Sequence, residues 1–425
     1  MIVQKRWIFK GFPPFFDVGR VIFMKIAGIV AEYNPFHSGH AYQIDRTRSE
    51  DGGGATHIAA VMSGSFVQRG EPALLPKSDR VRAALAGGVD LVLELPLPWA
   101  LSSAEHFAFG AVSLLDALGC VGILSFGSEC GDLDALTRVA DTLDSPRFSS
   151  LLRYHLDMGI AFPEARQRAV REIAGEKTAA LLESPNNTLG IEYIKALRAL
   201  RSPMIPYTVA RFGAGHADVD RPLGNIASAT YLRTLLRADR LLEALPYIPA
   251  GPARFLSDAT QAGRAPSKEE RLDRAVLARL RMLTPEDAAR LPDLSEGIEN
   301  RLLAAVREAA SLPGLMETIK TRRYPMTRVR RLIWSAFLGV PAGLSAARPP
   351  YIRVLGANQK GLEILAASKK AALPLISRAS QAARLPGDGA AVWTLECRAT
   401  DLFALSLPVP PPCGQDCTEG FIRPE

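Results

Sequence analysis

A six-residue apolar run, Ile26-Ala-Gly-Ile-Val-Ala31, breaks at Asn34-Pro35 and passes straight into His37-Ser-Gly-His40; this stretch constrains the chain more than any other. The run has the uninterrupted apolar character of a strand buried on both faces of a parallel sheet, and Asn-Pro is turn chemistry that releases a chain into a helix. The histidines thus stand at a strand-to-helix crossing. There the first N–H groups of the helix lack intrahelical partners and the helix dipole favours negative charge, so phosphate can dock. Three residues apart, the two imidazoles share one helix face and can reach the same polyphosphate. Gly39 between them removes a side chain where a ligand must come close to the backbone. Taken alone, His-x-Gly-His could equally be a loop or a metal fragment. Zinc needs further ligands at recognisable spacing, none lies nearby in sequence, and no metal site is expected. His57, His106, His155 and His216 are scattered singly and read as ordinary core or surface residues.

Beyond this motif, strand-like runs at 58–62, 90–95, 121–126 and 205–210 alternate with helical stretches at 39–49, 77–87, 104–118, 131–143 and 228–239. Such alternation predicts an α/β fold, a doubly wound parallel sheet with its ligand crevice at the carboxyl ends of the strands. Residues 146–200 read as helical throughout, an insertion covering the crevice. Pro246, Pro249 and Gly251-Pro252 punctuate the chain like an inter-domain linker. The expected division is a 1–23 extension read as disordered or as an artefact of start-site choice, a nucleotide-binding catalytic domain over 24–245, a mainly α-helical domain over 250–405, and an irregular tail over 406–425. Within the second domain, 268–340 has helical spacing and 351–376 reads as a small β-α-β unit.

Five further blocks follow the first in a fixed order: Met62-Ser-Gly-Ser-Phe-Val-Gln-Arg-Gly-Glu-Pro72, Asp90-Leu-Val-Leu-Glu-Leu-Pro96, Ser125-Phe-Gly-Ser-Glu129, Ser184-Pro-Asn-Asn-Thr-Leu-Gly190 and Ile226-Ala-Ser-Ala-Thr-Tyr-Leu-Arg233. Together they resemble the His-x-Gly-His nucleotidyltransferase superfamily and, within it, the tRNA(Met) cytidine acetate ligases, from Met24 to about residue 365. The resemblance implies an ATP-dependent ligase that activates acetate as acetyl-adenylate and acetylates N4 of the wobble cytidine of elongator tRNA(Met). ATP is then the nucleotide, with Mg²⁺ expected alongside it; acetate and elongator tRNA(Met) are the partners.

The same resemblance assigns roles. Val30, Ala31, Glu32, Tyr33, Asn34, Pro35, Phe36, His37, Ser38, Gly39 and His40 would line the nucleotide, joined by Gly127, Asn187 and Arg211. His37 and His40 would stabilise the α-phosphoryl transition state, while Ser228 and Arg233 would clamp the departing pyrophosphate. Arg suits such a fork-like contact. Read without the family, Ser228 is a good helix N-cap, Arg233 an exposed helical residue, and Gly127, Asn187 and Arg211 are turn, cap and surface residues. Gln68 to Pro72 and Lys77 form a polar loop on the same crevice edge, either an acceptor-side surface or a solvated loop.

A formal charge of +7 on 425 residues is compatible with a polyanionic partner. The densest basic run is Arg322, Arg323, Arg328, Arg330 and Arg331, with Tyr324 and Trp334 beside it. It could grip a phosphate backbone and stack on bases, or be a solvated helix face; tRNA contact is the favoured reading because the second domain has no other evident task. Five cysteines without a dense framework fit free thiols in a reducing compartment. No uninterrupted apolar stretch is long enough to span a membrane, so a cytoplasmic protein is expected. Two rivals remain: a nucleotidyltransferase adenylating a phosphorylated cofactor precursor, which would be compact, and a non-catalytic RNA-binding protein on the same fold.

Overall fold

The computed structural model describes residues 24–211, 222, 224–295 and 297–424. The 1–23 extension and His216 lie outside them. Among the described residues there are nine strands: β1 (Ile26–Ala31), β2 (His57–Ser63), β3 (Phe66–Val67), β4 (Glu71–Pro72), β5 (Leu91–Leu95), β6 (Ile123–Ser128), β7 (Ile205–Ala210), β8 (Ile352–Ala357) and β9 (Leu375–Ile376). Seven form one sheet in the order β7-β6-β1-β2-β5-β8-β9, and β3 pairs with β4 as a separate ribbon. Pairing from β7 to β5 is parallel; the buried apolar runs of β6, β1, β2 and β5 suit such a sheet, and β7 is its partly exposed edge. β1 lies between β6 and β2, so the first motif leaves the centre of the sheet at its carboxyl edge.

Each sheet face is covered by helices that supply an apolar stripe. On one side Ile44 of the Ser38–Arg48 helix and Val81, Ala84 and Leu85 of the Lys77–Ala86 helix pack on Ile29, Ile58 and Met62. On the other, Leu114 and Leu115 of the Ala104–Ala117 helix and Ile191, Ile194 and Leu197 of the Pro185–Leu200 helix share a core with Leu93 and Phe126. The helical stretch expected over 146–200 is present, but its last helix belongs to this core layer and forms the crossover from β6 to β7 in place of a cover over the crevice. Gly190 permits the close approach, since a β-carbon there would sit 2.7 Å from the Phe126 ring.

A second core is helical. Leu277, Leu302, Val306, Leu315, Val329, Ile333, Phe337 and Phe403 pack together, and Phe66 and Val67 of β3 are buried among them. The Phe66 and Trp334 rings lie 5.2 Å apart. The crevice ribbon is therefore rooted in the helical module.

Two expectations drawn from the sequence do not hold in the fold. The reading that put all of 250–405 in a separate body fails at β8, which pairs antiparallel with β5 and carries β9 beyond it. That strand closes the sheet edge that β5 would otherwise leave open. Nor is 406–425 a loose tail: Gln415–Thr418 forms a helical turn with Asp416 buried, and Ile422 bridges Gly356 of β8. Among the described residues no helix is long and apolar enough to cross a membrane.

Candidate active site

His37 is the N-cap of the Ser38–Arg48 helix, in extended backbone, with its Nδ1 accepting from the Gly39 N–H at 3.0 Å. His40 completes a capping box, its Nδ1 accepting from the His37 N–H at 3.2 Å. Both Nδ1 atoms accept, so each neutral ring carries its proton on Nε2, the only donor left to a ligand. The rings are 3.9 Å apart, and Tyr33 and Phe36 back the His40 ring at 5.0 and 5.4 Å. Burial, with Arg211 and Arg233 adding to it, lowers His37 to about 3. Burial and the neighbouring His37 hold His40 well below its ordinary value. The pair is neutral at neutral pH and acts through N–H donation.

Gly39 is where this geometry is most exposed to a single atom. A β-carbon there would lie 2.8 Å from His37 Cε1 and 3.0 Å from its Nδ1. Gly39→Ala is expected to move stability by less than about 1 kcal/mol, since Ala favours the helix as the cap contact is lost. Turnover should fall about 10²-fold, because the displaced ring no longer meets the reacting phosphate. Thermal melts beside steady-state rates check this; unchanged rates would mean that the His37 ring position is immaterial.

The strand-to-helix segment is clamped from several directions. The Leu74 N–H donates to Asn34 Oδ1 at 2.6 Å, Arg80 donates to the Glu32 carbonyl at 2.8 Å, and Ser38 Oγ donates to the Tyr247 carbonyl at 2.8 Å. Tyr33, Asn34, Pro35 and Phe36 are buried, whereas Val30, Ala31, Glu32, Ser38, Gly39 and His40 keep partial exposure. Of the expected nucleotide lining, Tyr33 and Phe36 thus serve as the aromatic support of His40. Glu32 accepts from the Gln68 N–H at 2.9 Å, and burial raises its carboxyl above the usual range.

The second motif docks on the first. Ser228 caps the Ala229–Arg237 helix by accepting from the Tyr231 N–H at 3.1 Å. Arg233, expected as an exposed helical residue or a phosphate clamp, is buried: it donates to the Asn34 carbonyl and to Thr230 Oγ1, both at 3.1 Å, and pairs with Glu71 at 3.2 Å. In this arrangement it ties the two motifs together.

Across β1, the β6 and β7 ends build the opposite wall. Gly127 lies under the Arg211 stem, with room for a β-carbon only at 3.4 Å from Arg211 Cγ. Glu129 accepts from the Asn186 and Asn187 N–H groups at 3.2 and 2.7 Å, substituting for a cap at the start of the Pro185–Leu200 helix. Asn187 Oδ1 accepts from the Cys130 N–H at 3.1 Å, so of its amide the Nδ2 donor remains for a ligand.

The arginine run is divided. Arg322 and Arg323 are exposed. Arg328 donates to the Asp293 carbonyl at 2.7 Å and Arg331 faces Asp293 at 3.5 Å. Arg330 pairs with Glu269 at 2.6 Å and donates to the Gly70 carbonyl at 2.8 Å. Arg328, Arg330 and Arg331, read from sequence as phosphate contacts, are engaged within the protein because their partners come from distant segments. Lys77 is likewise removed from the crevice loop. It is buried against Glu94 at 2.5 Å, Asp416 at 2.8 Å and Glu396 at 3.4 Å, with Arg353 bridging Glu94 and Asp416 at 2.8 and 2.7 Å. Sequence reasoning did not find this cluster; the available signal was Glu94, a carboxylate inside an apolar strand that must have a partner. His57 and His155 pair with Glu363 and Glu172, and all five cysteines are free thiols.

Residues 24–415 match the family model described as HIGH Nucleotidyl Transferase. The chain is 38% identical to a tRNA(Met) cytidine acetate ligase of Alkaliphilus metalliredigens, over 90% of this chain and 95% of that one. It is 36% identical to the enzyme of the same name from Acetivibrio thermocellus, over 94% of this chain and 100% of that one. The chain belongs to the tRNA(Met) cytidine acetate ligase family. As a member it is an enzyme, a ligase on a nucleotidyltransferase fold. The crystal structure of Thermotoga maritima TmcAL bound with alpha-thio ATP superposes with a TM-score of 0.85 at 33% identity, covering 94% of this chain and all of that one. The apo form of the same protein gives 0.87 at 35% identity, with the same coverage.

Proposed function

We propose that this ligase binds ATP at the His37–His40 helix start, joins acetate to the α-phosphate as acetyl-adenylate, and passes the acetyl group to N4 of the wobble cytidine of elongator tRNA(Met), with AMP as the leaving group. The observation that carries the reading is the neutral imidazole pair, with both Nδ1 atoms held by the capping box and both Nε2–H groups left to donate. An acetate oxygen attacks the α-phosphorus as the bond to the β-phosphate oxygen breaks and pyrophosphate leaves. Charge gathers on the α-phosphoryl oxygens, where preorganised donors act most strongly. The Gly127, Asn187 and Arg211 wall is assigned to the adenosine end, and the helix start capped by Ser228, held to the first motif through Arg233, to the pyrophosphate end. Mg²⁺ would neutralise phosphate charge. Among the described residues no group of three or more His, Cys, Asp or Glu could hold a metal ion.

Arg322 and Arg323 are the exposed members of the arginine run, and we assign them to the tRNA backbone. Purified protein given ATP and labelled acetate, with and without bulk tRNA, tests the whole reading. Label should enter an adenylate without tRNA and cytidine with it. Label in neither product rejects the acetate chemistry; label confined to the adenylate rejects the tRNA step. Arg322→Ala/Arg323→Ala should weaken tRNA binding and lower its salt slope by about 2, roughly one unit per phosphate contact, with adenylate formation unchanged.

A further inference from the structure

The ribbon turn between β3 and β4 holds an arginine whose neighbours are all fixed and whose own side chain is not. The Val67 carbonyl accepts from the Gly70 N–H at 2.9 Å, closing the turn, and Gly70 takes φ +75°. Gln68 is anchored twice, by its N–H to Glu32 at 2.9 Å and by its side chain to the Ser102 carbonyl at 3.2 Å. The Gly70 carbonyl accepts from Arg330, and a β-carbon on Gly70 would lie 2.7 Å from the Arg331 nitrogen. The helical module thus presses directly on the turn, and Arg69 at its tip is exposed.

The Gln68 contact to Glu32 sets Arg69 beside the end of β1, and its charge acts on Glu32, on Arg211 after β7 and on Arg233, which is itself bonded to the Asn34 carbonyl. Of the other guanidinium groups around this mouth, Arg211 stands beside Gly127 on the opposite wall, and three more are committed. Arg233 and Arg237 pair with Glu71, and Arg80 donates to the Leu75, Glu32, Ser63 and Gly64 carbonyls. No hydrogen bond or ion pair engages Arg69 among the described residues.

The sheet order fixes which ligand this cation meets. The adenosine wall comes from β6 and β7 on one side of β1, whereas the ribbon follows β2 on the other. In-line displacement at the α-phosphorus needs a nucleophile held apart from the nucleotide's own anchors. A single guanidinium fork matches a monoanionic carboxylate in a bidentate contact. With Glu32 and Glu71 beside it, this edge is a poorer place for a second polyphosphate.

We infer that Arg69 is the substrate-binding residue for the carboxylate that attacks ATP, holding acetate on the β2 side of the crevice, and that the Arg330 contact to Gly70 positions it. This rests on the function proposed above.

Acetate-dependent exchange of labelled pyrophosphate into ATP, run on the full chain, tests it. Arg69→Gln is expected to raise KM for acetate about 10- to 100-fold, the range for losing a charge-assisted contact. The Kd for ATP should stay within about threefold and the melting temperature should be unchanged, since the side chain is exposed. Arg69→Lys should fall between, keeping charge and losing the fork. A wild type that exchanges no pyrophosphate with acetate overturns the parent reading and this inference with it. An active wild type with an unmoved acetate KM in Arg69→Gln overturns this inference alone. A weakened ATP Kd with unmoved acetate KM does so too, by placing Arg69 at the nucleotide.

Discussion

Asp416→Asn is expected to lose about 3 kcal/mol of stability, and Asp416→Asn/Glu396→Gln about 5, the range for removing one partner of a buried ion pair. Asp416 lies between Lys77 and Arg353, and all three are almost fully buried. Burial alone would raise the Asp416 carboxyl, but Lys77 and Arg353 outweigh it and bring it down to about 2. Without that charge two cations face Glu94 alone. Glu396 can replace it in part. Burial and the nearby Glu94 push its carboxyl up to about 8, so it is uncharged at neutral pH and ionises when Asp416 no longer repels it. The two substitutions should therefore be non-additive, with Glu396→Gln alone costing less than about 1 kcal/mol at pH 7.

The pH dependence separates the two carboxylates. Asp416 has a folded value below its ordinary 3.8, so its contribution is present above that value and is lost as pH falls towards about 2. Glu396 has the opposite sign, its contribution being present below 4.5 and lost as pH rises towards about 8. Urea unfolding across pH should show Asp416→Asn flattening the acid limb and Glu396→Gln flattening the fall between 4.5 and about 8. Equal small losses for both single variants and the double would mean that the tail helix is pinned by its backbone and not by charge.

This cluster marks the limit of what the sequence discloses. The central strand was legible because burial leaves an unbroken apolar run, so 26–31 was placed to the residue; 205–210 was placed as well, although β7 is a largely exposed edge strand whose run is broken by Pro206 and Thr208. Helix starts were legible where the cap is local, as at Ser228, and the 104–118 helix was placed at its first residue. The partners of β8, Lys77 and Arg330 lie far away in the chain, and no local period encodes them. Arg330 reads as one member of a basic run until Glu269 and the Gly70 carbonyl are brought beside it. Arg233 shows the same limit at the site, where the motif identifies the residue but only the fold reveals that Glu71 and the Asn34 carbonyl hold it.

His40→Ala should lower turnover about 10²- to 10³-fold, the loss seen when one preorganised donor to a developing oxyanion is removed. The same substitution removes a structural contact, because His40 Nδ1 accepts from the His37 N–H, and loss of a cap partner costs about 1 kcal/mol. His40→Gln separates the two effects. Gln is favoured at the third helical position of a capping box, where its oxygen can take over the His37 N–H. It cannot reproduce the imidazole, whose Nε2 is aimed away from the cap by a rigid ring packed on Tyr33 and Phe36. Stability should return to within about 0.5 kcal/mol of wild type in His40→Gln, while acetyl-adenylate formation stays within about tenfold of the alanine variant. Single-turnover adenylate formation beside thermal melts of both variants decides the matter. If glutamine restores rate along with stability, the second histidine of the motif works by holding His37 in place, and the donor to the α-phosphate is His37 alone.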